Sequence, residues 1–408
     1  MKKYALLVLA TVALVLPPSV HCASEEFATV FRSGLDAEDA GNIDEAVNYF
    51  SEAIKLQPRS ARAWAKRGEA YLRKGEVPAA LKDLNRAVEL DPAYDAAYTR
   101  LGYAHNAAND YDKAIEALEI AVKLAPSSSE ALNTLGFAYN GRNLYDRAIA
   151  EFDKAIRLNP NDARYYNNRG FAHNGKHQYS QAIEDFNRAI KISPDNAMYY
   201  NNRGVAYLRN KDYDKALEDF NKTIALNSKF SSAYHNKGMA LSAKGRHDKA
   251  VEEFSKVMEM SPDSAILYRD RGDAYRRLGE YDLAVKDLEK AIGLDKKNAA
   301  AYAALGLLRA TASDPAFRDP SAALQYARKA VELTDGTGPD MLQNLAEVQH
   351  ALGRKEEAVQ SLNKAIAMDP DNEQYAELLA KWGGARRSLS SESPEQPGTE
   401  RQIFPSLW

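Results

Sequence analysis

Residues 163–196 read ARYYNNRGFAHNGKHQYSQAIEDFNRAIKISPDN, and the thirty-four residues that follow, 197–230, read AMYYNNRGVAYLRNKDYDKALEDFNKTIALNSKF. The same small, aromatic and charged residues return at the same places, so the unit of this chain is a repeat, and a fixed period decides architecture before any local signal does. Outward from this pair the period holds. Pro58, Pro92, Pro126, Pro160 and Pro194 stand 34 residues apart, Ser228 interrupts the series, and Pro262 resumes it. With Phe27 as place 1, a glycine recurs at place 8 from Gly34 to Gly306 and an alanine at place 20 from Ala46 to Ala284.

Each period contains two amphipathic stretches, near places 2–14 and 18–31, and the proline at place 32 ends the second because it lacks an N–H and clashes with the preceding turn. Small residues at 8 and 20 let two helix backbones approach closely. Large ones at 4, 11 and 24, among them Trp64, Tyr166, Tyr139, Phe152 and Phe186, fill the space around them.

On these residues the chain resembles the tetratricopeptide repeat family, whose pattern is a large residue at 4, Leu-Gly at 7 and 8, Tyr at 11, Ala at 20, Phe at 24, Ala at 27 and Pro at 32. The resemblance implies an all-α, right-handed α-solenoid of about ten helix-turn-helix repeats, beginning near 27, 61, 95, 129, 163, 197, 231, 265, 299 and 339. Two departures stand out. Place 7 is often basic (Arg67, Arg169, Arg203, Lys237, Arg271), and the expectation is a buried alkyl stem with its charged head in solvent. The ninth repeat carries an insertion within 311–320 that should lengthen the turn between its helices. Residues 373–384 read as a helix capping the last apolar face, and the Ser-, Glu- and Pro-rich tail 385–408 as disordered, although its last residues, IFPSLW, are apolar.

The ends and the composition bound the function. Lys2 and Lys3, the apolar run from Ala5 to Leu16, and the small residues around Cys22-Ala23-Ser24 have the form of a secretory signal peptide spanning 1–23. Twelve apolar residues are too few to cross a bilayer, which needs about twenty. The expectation is a periplasmic or secreted protein with no membrane span in the mature chain. Lipid anchoring through Cys22 is the lesser alternative, because His21 and Ser19 depart from the residues usual before a lipidated cysteine. The 408 residues carry 54 basic and 57 acidic side chains, a formal net charge of −3, which offers no electrostatic reason for nucleic-acid binding.

No residues suggest catalysis. There is no Gly-rich phosphate loop and no GxSxG, and His173 and His177, although spaced i, i+4, are separated by Gly175, with His177 at the turn and no acidic partner in a zincin-like motif. Neither an enzyme, a cofactor nor a metal site is expected.

What remains is a face. At 100° per residue, places 4, 7, 8 and 11 of the first helix point to its neighbours while 2, 6, 9 and 13 point the other way. In this family the first helices line the concave side, so the resemblance implies that place 6 lines a groove. Its occupants include Lys66, Arg100, Asn168, Asn202, Asn236, Asp270 and Asn344, with Asn133, Asn167 and Asn201 beside them at place 5, on the groove's flank. An amide is donor and acceptor at once. A similar asparagine ladder, in the superhelix of the enzyme that attaches N-acetylglucosamine to proteins, holds extended peptides; Asn at place 6 is also common in the family for other reasons, including bonds to the neighbouring repeat. Arg62, Lys66 and Arg73 make one end basic, and Arg269, Asp270, Asp273, Arg276 and Arg277 mix both signs at the other. The carboxylate clamp of chaperone-binding relatives is disfavoured, because Ala65 and Glu69 stand where Lys and Asn would be needed. The expected partner is a protein or extended peptide; the alternative is an envelope spacer or self-assembling element with an inert groove.

Overall fold

The computed structural model describes residues 18–370 and 372–382, with side chains from residue 24. The expected signal peptide lies largely outside them, the side chain of Cys22 is not described, and the tail 385–408 is outside altogether. Among the described residues the chain is all helix, in pairs that keep the sequence period: Ala61–Arg73 with Val77–Leu90, Asp95–Ala107 with Tyr111–Leu124, and so on to Pro339–Ala351 with Lys355–Met368. The fold is an α-solenoid. The described residues divide between Pro194 and Asp195 into two compact units.

The local causes repeat with the period. The last place of most repeats supplies an N-cap: Ser60 accepts from the backbone N–H of Ala63, Ser128 from Ala131, Asp162 from Arg164 and Ser264 from Leu267. At place 15 the chain turns through the left-handed region, where Gly75 (φ 77°) and Gly245 (φ 75°) pay no steric cost, yet Asn109, Asn143, His177 and Lys211 adopt it too, with φ from 58° to 64°. The place-4 side chain reaches back over the preceding turn, Trp64 Nε1 donating to the Pro58 carbonyl at 2.9 Å and Tyr166 Oη to that of Pro160 at 3.2 Å.

Close helix approach rests on place 8. A Cβ on Gly136 would sit 2.6 Å from the Phe152 ring, and one on Gly102 would sit 2.3 Å from Leu118. The place-20 alanines and the place-24 side chains Phe50, Leu84, Leu118, Phe152, Phe186 and Phe220 are fully buried around this contact.

The basic residues at place 7 are half-buried and do not extend their heads into solvent as expected. They turn inward to a carboxylate sixteen residues on, at place 23 of the second helix. Arg67 grips Asp83 with a two-pronged fork (2.6 and 3.0 Å), and Arg169, Arg203 and Arg271 do the same to Asp185, Asp219 and Asp287. Lys237 pairs with Glu253 at 3.1 Å. The guanidinium also lies over the aromatic rings at places 4 and 11, as Arg67 does over Trp64 and Tyr71. An arginine is tolerated half-buried here because its fork, planar face and stem are all satisfied.

In the ninth repeat the insertion lengthens the turn between Ala299–Thr311 and Pro320–Glu332 and contains a single 3-10 turn, Pro315–Phe317. Phe317 packs on Tyr281, 5.4 Å between ring centroids, and Arg318 ties back to the carbonyl of Ala312. At the end of the second unit, Glu373–Lys381 lays Tyr375 and Leu379 against Leu342, Leu362 and Ile366, and Tyr375 Oη donates to Asp340 at 2.8 Å. No helix among the described residues is long and apolar enough to cross a membrane.

Candidate functional site

Within each unit the first helices approach one another more closely than the second helices do: Asp95–Ala107 touches both Ala61–Arg73 and Ser129–Gly141, and Ser231–Ala243 touches both Ala197–Arg209 and Ala265–Leu278. The face that the first helices share is therefore the inner one of each unit.

On that face the amide and charged side chains at place 6 are half-buried, and several of them are braced by the repeat before. In the first unit Asn168 Nδ2 donates to Asn133 Oδ1 at 3.0 Å, and in the second Asn236 Nδ2 donates to Asn201 Oδ1 at 3.1 Å. Place 5 also supports its own neighbour, Asn167 Nδ2 reaching Asn168 Oδ1 at 3.2 Å and Asn201 Nδ2 reaching Asn202 Oδ1 at 3.5 Å. The same step continues as His235 Nε2 to Asp270 Oδ2, 2.7 Å, with Arg269 on the other carboxylate oxygen. The position of place 5 differs from the expected flank: Asn167 is 3% and Asn201 8% exposed, because the first helix of the adjoining repeat covers them. Asn133 and Asn344 are half-buried, and Asn344 Oδ1 is enclosed without a partner.

The charged positions are brought together with neutralising partners. Lys66 bonds Glu38 at 3.1 Å and Glu69 at 2.9 Å, and Arg73 donates to the Glu38 carbonyl. Burial alone would lower the Lys66 pKa, but the hydrogen bonds and charges of Glu69 and Glu38 outweigh it and hold the ammonium above its ordinary range. Arg100 bridges Glu69 and Glu130, and Arg62 lies over the Phe31 ring at 5.1 Å. Arg276 and Arg277 both bind Asp273, whose carboxyl they keep below the usual carboxylate range against the opposing effect of burial. Lys66, Arg100, Arg276 and Arg277 thus already hold carboxylates, whereas Arg62 is exposed and, among the described residues, rests on a ring alone.

His173 and His177 serve separate turns, His173 Nδ1 with Gln178 at 2.8 Å and His177 Nδ1 with Tyr179 Oη at 2.7 Å. Among the described residues no three His, Cys, Asp or Glu side chains cluster as a metal site would require. A cleft of about 410 Å³ in the second unit is lined partly by the second helices of the sixth and seventh repeats, through Asp214, Glu218, Lys249 and Glu252, together with Lys237, and carries mixed charge.

Known proteins share this architecture. A tetratricopeptide repeat model matches residues 31–95 and 99–170, and the model of the cilia and flagella-associated protein 70 C-terminal domain matches 176–397. Neither is a catalytic family. A tetratricopeptide repeat protein from Parabacteroides merdae is 18% identical over 60% of this chain and 98% of its own, with a TM-score of 0.50. Yeast Tom70 is 14% identical over 88% of this chain and 95% of its own, with a TM-score of 0.49. YrrB, described as a tetratricopeptide repeat protein with an unusual peptide-binding site, is 23% identical over 48% of this chain and 97% of its own, with a TM-score of 0.38. With the family models covering most of the sequence and the helix pairs keeping the 34-residue period, the chain belongs to the tetratricopeptide repeat family.

Proposed function

We propose that this protein is a non-catalytic scaffold, periplasmic or secreted after removal of its leader, that binds an extended peptide or partner protein on the inner faces of its first helices. Tetratricopeptide folds commonly mediate protein–protein interaction. The observation that carries the reading here is the braced amide at place 6. Asn168 uses one N–H on Asn133 and one acceptor site for Asn167, and keeps a second N–H and a second lone pair. Such a group is fixed in direction yet retains bonding capacity, the condition for meeting a peptide backbone without first losing rotamer freedom.

The test replaces Asn168, Asn202 and Asn236 together with Ala and measures affinity for the protein that co-purifies with the wild type. Loss of about tenfold or more, with helicity retained, is expected from removing hydrogen bonds worth about 0.5–1.5 kcal/mol each. Unchanged affinity in a folded variant would leave the amides a purely structural role.

A further inference from the structure

Repeats three to five differ from the others in a way that neither the core nor the amide row uses. Their first helices carry GYAHNA (102–107), GFAYNG (136–141) and GFAHNG (170–175), each with an aromatic ring at place 9 and an asparagine at place 12. Place 9 is Glu69 in the second repeat and Val205, Met239 and Asp273 in the sixth to eighth. All three aromatic repeats lie in the first unit.

The aromatics at places 4, 11 and 24 serve packing, but those at place 9 leave the helix on the inner face. Tyr103 is 53% and Phe171 36% exposed, with the half-buried Phe137 between them in the series. Their spacing is set by place 12. Asn106 Nδ2 donates to the Thr134 carbonyl and Asn140 Nδ2 to that of Asn168, both at 3.2 Å, tying each first helix to the next. Both asparagines are more than nine-tenths buried, with Oδ1 enclosed and unpartnered. The rings thus stand on successive first helices, whose axes lie about 8–10 Å apart where helices pack.

That spacing selects a ligand conformation. Along a β-strand, side chains on one face recur at about 6.6–6.8 Å, out of step with the rings. A polyproline-II segment turns once every three residues and advances about 9.3 Å per turn, in step with them. Its carbonyls have no internal partners, and prolines dock well on aromatic surfaces. The charges beside the rings are already paired, Arg100 with Glu69 and Glu130 and Arg164 with Asp162, so the stripe favours an uncharged occupant.

We propose that Tyr103, Phe137 and Phe171 form a docking stripe for an uncharged polyproline-II segment of a partner protein, with an apolar side chain at every third residue seated between rings. This rests on the reading that the first-helix faces bind partners, and specifies what the first unit takes.

The test measures fluorescence anisotropy of two labelled dodecapeptides on the full chain, one of four Leu-Pro-Pro units and one of six Leu-Pro units. The first should bind, and more tightly than the second. Replacing Tyr103 and Phe171 with Ala should weaken it about tenfold or more, with helicity unchanged; if the double variant unfolds, Tyr103→Ala alone, at the most exposed ring, should give a smaller loss of the same sign. Equal binding of the two peptides, or indifference to the rings, would overturn the stripe. If a chain ending at Gly384 binds the first peptide tenfold more tightly than the full chain, the occupant is the chain's own tail and the partner assignment fails. If the first peptide does not bind while the co-purifying partner still depends on Asn168, Asn202 and Asn236, this inference falls and the broader reading stands.

Discussion

Replacing Asp83 with Ala is expected to lower the unfolding free energy by about 3–5 kcal/mol, the cost of leaving a buried cation without its partner. Asp83 is 1% exposed and accepts two hydrogen bonds from Arg67, whose side chain is 17% exposed. Some water therefore reaches the guanidinium, and the lower end of that range applies. Replacing Arg67 with Leu at the same time should recover most of the loss, because the desolvation penalty disappears with the charge and replacing a buried pair by apolar residues is often neutral. The chain contains that alternative: in the next repeat places 7 and 23 are Leu101 and Ala117, 5% and 6% exposed. Denaturant unfolding of the wild type, the single and the double variant measures both effects. A double variant as unstable as Asp83→Ala would show that the pair does more than satisfy itself.

Phe152→Ala should cost about 3–5 kcal/mol, the usual range for emptying a fully buried aromatic site. The ring is wholly buried and lies against the bare backbone of Gly136, so removing it takes away the body that the place-8 glycine makes room for. Phe152→Leu should cost less than about 1.5 kcal/mol, since Leu84, Leu118 and Leu288 fill place 24 against a glycine elsewhere in the chain. In a solenoid each repeat leans only on its neighbours, so hydrogen exchange should quicken first in residues 129–158 and the repeats beside them. A loss below about 1 kcal/mol for the Ala variant would mean that the second helix collapses onto Gly136, and the glycine–ring contact would not be what holds the helix pair together.

The fold was legible because its determinants are short-range and repeated. Gly at 8, Ala at 20, large residues at 4, 11 and 24 and Pro at 32 each mark a contact or a stop within one repeat. The place-7 pairs were harder to read. Arg67 and Asp83 lie on different helices, sixteen residues apart, beyond the i+3 and i+4 rules that reveal pairs within a helix. Comparison of the repeats with one another carries the signal: Arg or Lys at 7 goes with Asp or Glu at 23 in five repeats, and Leu101 goes with Ala117, while Leu135 opposite Glu151 is the exception. The helical wheel placed Asn168 on the outward face, but it could not show that Asn167 and Asn201 are covered, because that burial comes from a helix about 35 residues away. The basic end around Lys66 looked open for the same reason. Glu38, which pairs with both Lys66 and Arg73, stands in the preceding repeat.

The most direct test of the functional account is photo-crosslinking in the native setting from single positions on opposite faces. A photoreactive residue at 168 or 236, on the first-helix face, should capture a partner protein, and one at 123 or 157, exposed on the second helices, should not. Capture from 123 and 157 with none from 168 and 236 would contradict the account and assign the working surface to the opposite side of the repeats.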